Sequence, residues 1–195
     1  MNLDARARTR LDAFSALVRH WNGAYSLVSR RDASRLETRH IADSLTLVPW
    51  VEGTRLGDVG SGAGFPGIPL AIAGPRWHVT LVERSEKKAR FLRQALIELD
   101  IENAEVVVAD ARKFDPGAPF DTVTVRAVAK APMAWEIARQ LLRRGGCALL
   151  QSSSSLSGLS FPGGRIRRAE AVRADAGERM RHITKIQRLE SPCTS

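Results

Sequence analysis

Residues 57–69, GDVGSGAGFPGIP, place glycine at 57, 60, 62, 64 and 67 and proline at 66 and 69. Glycine inside a helix or strand costs about 0.5–1 kcal/mol relative to alanine, so such a run requires a backbone reason, and close approach to a ligand supplies one. Before it, TRLGDV (54–59) reads as a short strand; after it, the chain turns helical near Pro66 and stays so to about residue 73. Strand, glycine turn and helix in that order put the turn at the carboxyl end of a parallel sheet, where open α/β sheets bind ligands.

The pattern repeats outward. HVTLVE (78–83), AEVVVAD (104–110), FDTVTVR (120–126) and GCALLQ (146–151) read as further buried strands, with helical stretches at 86–99 and 132–144 between them. This alternation predicts an α/β, doubly wound, mostly parallel sheet, Rossmann-like and of the seven-stranded type. Ahead of it, Leu11, Phe14, Leu17 and Val18 recur at helical spacing and predict a helix over about 5–19, then a connector through Trp21–Ser29 and Arg30, Arg31 and Asp32. A second helix, capped by Ser34, is expected to run to the break at Pro49. The expected organisation is an N-terminal helical extension over 1–52 and a ligand-binding domain over 53–195, in one compact unit. After Gln151, SSSSLSGLSFPGG reads as loop, RIRRAEAVRADAGERMRH as a basic stretch and HITKIQRL as a final strand.

The glycine spacing narrows the ligand. It is not the G-x-G-x-x-G of nicotinamide enzymes, and no GK[ST] follows, which removes a P-loop. Asp58-x-Gly60-Ser61-Gly62-x-Gly64 has the form of the first motif of S-adenosylmethionine-dependent methyltransferases. Two further features are in register with it: Glu83 ends the next strand, where an acid bonds ribose hydroxyls, and Asp110-Ala111 end the third, where the adenine lies. A tight turn with two solvated strand-end acids is the plainer alternative.

The charge balance points to a polyanion. Thirty Lys and Arg against 21 Asp and Glu give a formal +9 and a pI near 10.7, and arginine's planar fork suits phosphate. Arginine-favouring codon use would give the same excess. Phosphate contacts are expected from Arg30, Arg31, Arg35, Arg165, Arg167, Arg168, Arg173, Arg179 and Arg181. Cys147, in an apolar run, and Cys193 support neither a disulfide framework nor a metal site. With no signal-like or membrane-spanning stretch, the expected location is the cytoplasm.

With RHIADSL (39–45) before it and EKKARFLRQ (86–94) and VRAVA (125–129) after it, DVGSGAGFPGIPLAI (58–72) strongly resembles the RsmG (GidB) family of bacterial 16S rRNA guanine-N7 methyltransferases, over about residues 15–151. The resemblance implies a class I methyltransferase domain with S-adenosylmethionine as donor. It also implies a guanine of the 530 loop of 16S rRNA, free or in the 30S subunit, as acceptor, and a monomer that uses no metal. Carried over by residue, it implies cofactor contacts at Gly60, Phe65, Ala111, Arg112 and Arg126. The chain departs from the family pattern at Asp110-Ala111-Arg112-Lys113, where R-A-E-E is usual, and at Leu149-Leu150-Gln151-Ser152, where A-L-K-G is usual.

Guanine N7 carries an exposed lone pair, so catalysis would rest on orientation and electrostatics. Asp43 is the candidate to face the developing cation, and Arg39 or His40 to hold RNA; the same three residues would equally make a helix-surface ion pair beside a satisfied histidine. The alternatives are a diverged methyltransferase acting on another RNA or a small molecule, and a non-catalytic paralogue that binds cofactor and RNA.

Overall fold

The structure, a computed structural model, describes residues 3–29, 33, 35–126, 130–173 and 180–190. Helix α1 (Ala5–Tyr25) starts at Asp4, whose carboxylate accepts from Ala7 N at 2.7 Å, and buries Leu11, Phe14 and Val18. It runs a turn and a half beyond the expected end, through Trp21 and Gly23. The reason is tertiary: Trp21 packs edge-on to Tyr25 at 5.1 Å, and Ser26, at φ 50°, closes the helix through a bond to Asn22 O.

The expected second helix is divided. A π-helical turn covers Leu36–Ile41, a short α2 covers Ala42–Leu45, and a 3₁₀ turn at Val48–Trp50 contains Pro49, the predicted break. Its expected cap, Ser34, lies outside the described residues, as do Arg30, Arg31, Asp32, Arg179 and Cys193.

Seven strands follow: β1 (Arg55–Val59), β2 (His78–Glu83), β3 (Ala104–Val108), β4 (Phe120–Arg126), β5 (Leu142–Ser152), β6 (Gly164–Arg173) and β7 (Met180–Arg188), in the order β3-β2-β1-β4-β5-β7-β6. The first five are mutually parallel, whereas β7 runs antiparallel to both β5 and β6. Chain direction across the sheet reverses between β1 and β4, so the site end lies at a topological switch point.

Helices α3 (Gly67–Ala73) and α4 (Glu86–Glu98) bury Ile68, Leu70, Phe91 and Leu92 with Leu81 of β2 in one core, which also takes in Phe14 and Leu36 from the N-terminal helices. On the opposite face α5 (Ala131–Leu141) packs Trp135 and Ala138 on Val123 and Leu150, and the Trp135 indole N–H donates to Pro162 O at 2.9 Å. Helix α5 stops three residues before the expected 144. Arg143 already belongs to β5 and pairs with Asp121 at 2.6 Å.

Strand β6 is the principal correction to the sequence reading, which saw only a basic stretch there. It is an exposed edge strand whose charges blunt further pairing, and its bulge between Ile166 and Arg168 breaks the alternation that marks a strand. Beyond the bulge Arg168 lies over the Trp50 ring at 4.1 Å. Next to it, buried Lys185 of β7 donates to Trp50 O at 3.1 Å and pairs with Glu52 at 2.5 Å, while the Cys147 thiol donates to the other Glu52 oxygen at 3.3 Å. Lys185 holds Glu52 below the usual carboxylate value, and burial together with Glu52 pushes the Cys147 thiol up to about 11.

Candidate active site

The glycine turn leaves β1 and folds onto the end of β2. Gly60, Gly62 and Gly64 have φ of 70°, 58° and 90°, a region where an L side chain is strained. Gly60 N and Ser61 N both donate to Val82 O, at 2.8 and 3.2 Å. Gly62 N donates to Glu83 Oε2 at 2.8 Å, and Ser85 N to Glu83 Oε1 at 2.8 Å. Glu83 therefore sits buried at the floor of the turn with both oxygens on backbone donors.

Asp58 and Ser61 turn away from the opening. Asp58 is buried; its Oδ1 accepts from Thr124 Oγ1 at 2.9 Å and its Oδ2 from Gly67 N at 3.1 Å, while Ser61 Oγ donates to Asp58 O at 2.9 Å. These two candidates brace the turn from below instead of facing a ligand, and burial raises the Asp58 carboxyl above its usual value despite those bonds. Gly67 completes the brace: a Cβ there would lie 2.2 Å from Leu81 Cδ2 and 2.7 Å from Asp58 Oδ2.

Above the turn a cavity of about 370 Å³ opens at the ends of β1, β2 and β3. Gly60, Glu83, Asp110, Ala111 and Arg112 line it, five of the residues expected to hold a cofactor. Lys88 from α4 and Met133 and Ile137 from α5 complete the wall. The sequence reading did not name these three, although an apolar residue in the first turn of the helix after β4 is a usable signal for Met133. Arg112 engages Asp110 through its backbone N at 3.1 Å and its guanidinium at 2.5–3.2 Å, which holds the Asp110 carboxyl well below the usual range.

The remaining candidates gather on the other side of the turn, outside that cavity. Phe65, 3% exposed, takes the His40 ring in a stack at 5.0 Å and 30°, Phe14 at 5.1 Å and the half-buried Arg126 guanidinium at 5.4 Å. Desolvation lowers the Arg126 pKa, opposed by the nearby charges of Asp58 and Asp43. Asp43, expected to face a substrate, is buried instead and pairs with Arg181 at 2.7 Å. Gln151 of β5 and Arg181 of β7 close over it, and burial raises its carboxyl pKa against the pull of Arg181, Arg126 and Arg39. Arg181 is thereby removed from the expected set of phosphate contacts, and Arg168 is occupied by Glu170 at 2.6 Å. Arg35, Arg165, Arg167 and Arg173 remain exposed.

The residues fit an adenosine-bearing cofactor. The cavity lies within the ~300–1,000 Å³ of small-molecule sites. The open side of Gly62, where a Cβ would meet nothing nearer than 3.7 Å, leaves room for close approach. Among the described residues, no group of His, Cys, Asp and Glu could hold a metal ion, and no helix is long and apolar enough to cross a membrane.

Residues 7–157 match the GidB family, rRNA small subunit methyltransferase G. The ribosomal RNA small subunit methyltransferase G of Stenotrophomonas maltophilia (strain K279a) is 43% identical over 149 residues, 76% of this chain and 70% of the relative. That of Methylobacillus flagellatus is 42% identical over 146 residues, 75% and 71% of the two chains. Among solved structures, cofactor-bound Rv0187 from MTB superimposes with a TM-score of 0.62 at 21% identity, covering 96% of this chain and 92% of that one. The precorrin-6y C5,15-methyltransferase of Geobacter metallireducens gives 0.54 at 15% identity, covering 84% and 92%. These two likenesses show a shared Rossmann-like α/β fold.

Proposed function

This chain belongs to the rRNA small subunit methyltransferase G (GidB) family, whose methyl donor is S-adenosylmethionine, and from that premise we propose that its acceptor is N7 of a guanine in the 530 loop of 16S rRNA. The family match supports the rRNA acceptor, and the observation that carries the donor half of the reading is the cavity over the glycine turn, with Gly60 on its wall and Glu83 at its floor. Each Glu83 oxygen accepts one backbone N–H and keeps a lone-pair direction for a ribose hydroxyl. Asp110 and the main chain at 111–112 are assigned to the adenine, with Met133 and Ile137 as its apolar cover.

When bound, S-adenosylmethionine supplies a methyl group on a sulfonium, an electrophile that needs no further activation. Guanine N7 already presents a lone pair, so the chain has no proton to remove and its work is orientation and exclusion of water. Arg39 and His40 are assigned to the RNA beside the turn, and Arg126 and Phe65 to the cofactor's far end. Residues 1–52 form the acceptor-facing extension of a methyltransferase domain at 53–195 that acts as a monomer. The exposed Arg35, Arg165, Arg167 and Arg173 are assigned to phosphates, a sequence-independent term that weakens with salt.

The test is incorporation of labelled methyl from S-adenosylmethionine into naked 16S rRNA, assembled 30S subunits and 23S rRNA, with nuclease mapping. A single 7-methylguanine in the 530 loop is expected; label spread over both rRNAs would overturn the assignment of acceptor. A second reading, a relative that binds cofactor without turnover, is favoured by the departures from the family pattern at Arg112-Lys113 and Gln151-Ser152. Stoichiometric cofactor binding with no labelled product would identify it.

A further inference from the structure

The start of β7 reaches back to the helical turn beside the glycine loop. Arg181 Nε donates to Asp43 Oδ2 at 2.7 Å, in a pair whose side chains are 19% and 8% exposed. From β5, Gln151 Nε2 donates to Asp43 O at 2.8 Å, and the Thr46 hydroxyl donates to the same oxygen at 2.6 Å. Two neighbouring strands thus converge on one residue, one through its carboxylate and one through its main chain. Neither Asp43 nor Arg181 lines the cofactor cavity.

Asp43 follows His40 by three residues on the same turn. His40 O accepts from Ser44 Oγ at 2.6 Å, and its ring stacks on Phe65. Phe65 is in turn the residue that joins the glycine turn to α3, and it carries Arg126 on its ring. A continuous line of contacts therefore runs from β7 through Asp43 and His40 to the cofactor turn. A buried carboxylate is retained only when paired, and the pair is rigid because both ends are desolvated and hydrogen-bonded.

We propose that Arg181 is a positioning residue for methyl transfer: through Asp43 it fixes the turn that holds His40 on Phe65, and so sets the geometry of the glycine turn from outside the pocket. The inference rests on the methyltransferase reading above and adds the element that orients the site. Arg181 contacts none of the residues that line the cavity, so its loss is expected to misorient the turn more than to dismantle the pocket.

The experiment uses the full chain and compares wild type, Arg181→Met, Gln151→Lys and the double variant. Its readouts are S-adenosylhomocysteine affinity by calorimetry, kcat and KM for methyl transfer, and hydrogen exchange of the amides in 36–46 and 60–66. Arg181→Met is expected to keep cofactor affinity within about threefold while kcat falls at least about tenfold, the scale of a misoriented reacting pair. Exchange should quicken in both segments. Gln151→Lys in that background is expected to restore both, because the position-151 side chain already reaches the main-chain oxygen of Asp43 and the longer lysine brings a cation beside its carboxylate. Unchanged kcat in Arg181→Met would overturn the proposal, and so would parallel loss of stability and activity that Gln151→Lys does not rescue. If wild type itself transfers no methyl group, the methyltransferase reading has failed, and exchange alone decides. Quickening in both segments with rescue supports the latch; quickening confined to 180–188 overturns it.

Discussion

Two regions of the sheet, the glycine turn and the C-terminal hairpin, are held by opposite means. At β1 and β2 the contacts are short and backbone-centred: glycine N–H groups close on Glu83 and Asp58, and Gly67 fits only because it lacks a Cβ. At β7 and β6 the contacts are long charged side chains that reach across: Lys185 to Glu52, Arg181 to Asp43, Arg168 over Trp50 and Arg188 to Leu142 O. A close backbone fit has no slack, because nothing in it can rotate away. A long side chain can re-aim, so the hairpin end should absorb changes that the turn end cannot.

The largest test of that contrast is Gly67→Val, which drives a branched side chain into Leu81 and Asp58; a loss of about 3 kcal/mol or more is expected in urea unfolding, together with loss of cofactor binding. Next is Asp58→Ala, which strands Gly67 N and the Thr124 hydroxyl and should cost about 1–3 kcal/mol. Gly62→Ala meets open space but keeps φ at 58°, so about 1 kcal/mol of backbone strain is expected with the core unchanged. If Gly62→Ala proves as costly as Gly67→Val, lack of space is not what constrains the turn.

Acidity separates Asp58 from Glu52 by sign. The Asp58 carboxyl is raised from 3.8, so its contribution is present at low pH and is lost as pH rises through the raised value. Asp58→Asn should therefore gain on wild type as pH climbs. The Glu52 carboxyl is lowered from 4.5 by Lys185, so its contribution is present above 4.5 and is lost as pH falls through the lowered value. Wild type should keep an advantage over Glu52→Gln, below about 1 kcal/mol because the pair is partly exposed, that shrinks on acidification. Slopes of the same sign in the two variants would break the comparison. The smallest effect concerns Cys147, whose thiol at about 11 should resist iodoacetamide at pH 8 in the folded chain, as read by peptide mapping.

The turn end was legible in the sequence because its constraints are written in consecutive residues: glycines where φ is positive, then Glu83 and Asp110 at strand ends one and two units on. The parallel sheet and the last strand were legible from their apolar runs. What escaped was set by burial or by distance along the chain. Asp58 and Ser61 belong to the motif, yet only packing reveals that they face inward. Asp43 and Arg181 are 138 positions apart, and no local spacing links them. Strand β6 was hidden by its own charges, since an exposed edge needs no apolar face and a bulge erases the two-residue period.

Strand β7 lies between β5 and β6 in space but follows both in the chain. During translation the two flanking strands therefore leave the ribosome before the one that separates them. In that interval β5 exposes a row of unpaired N–H and C=O groups, an edge that attracts foreign strands. The charged β6 is a poor substitute partner, which protects the nascent chain from closing the sheet in the wrong order. Arg181 emerges only at the end of that interval, so a nascent chain acquires its glycine turn well before the guanidinium that pairs with Asp43.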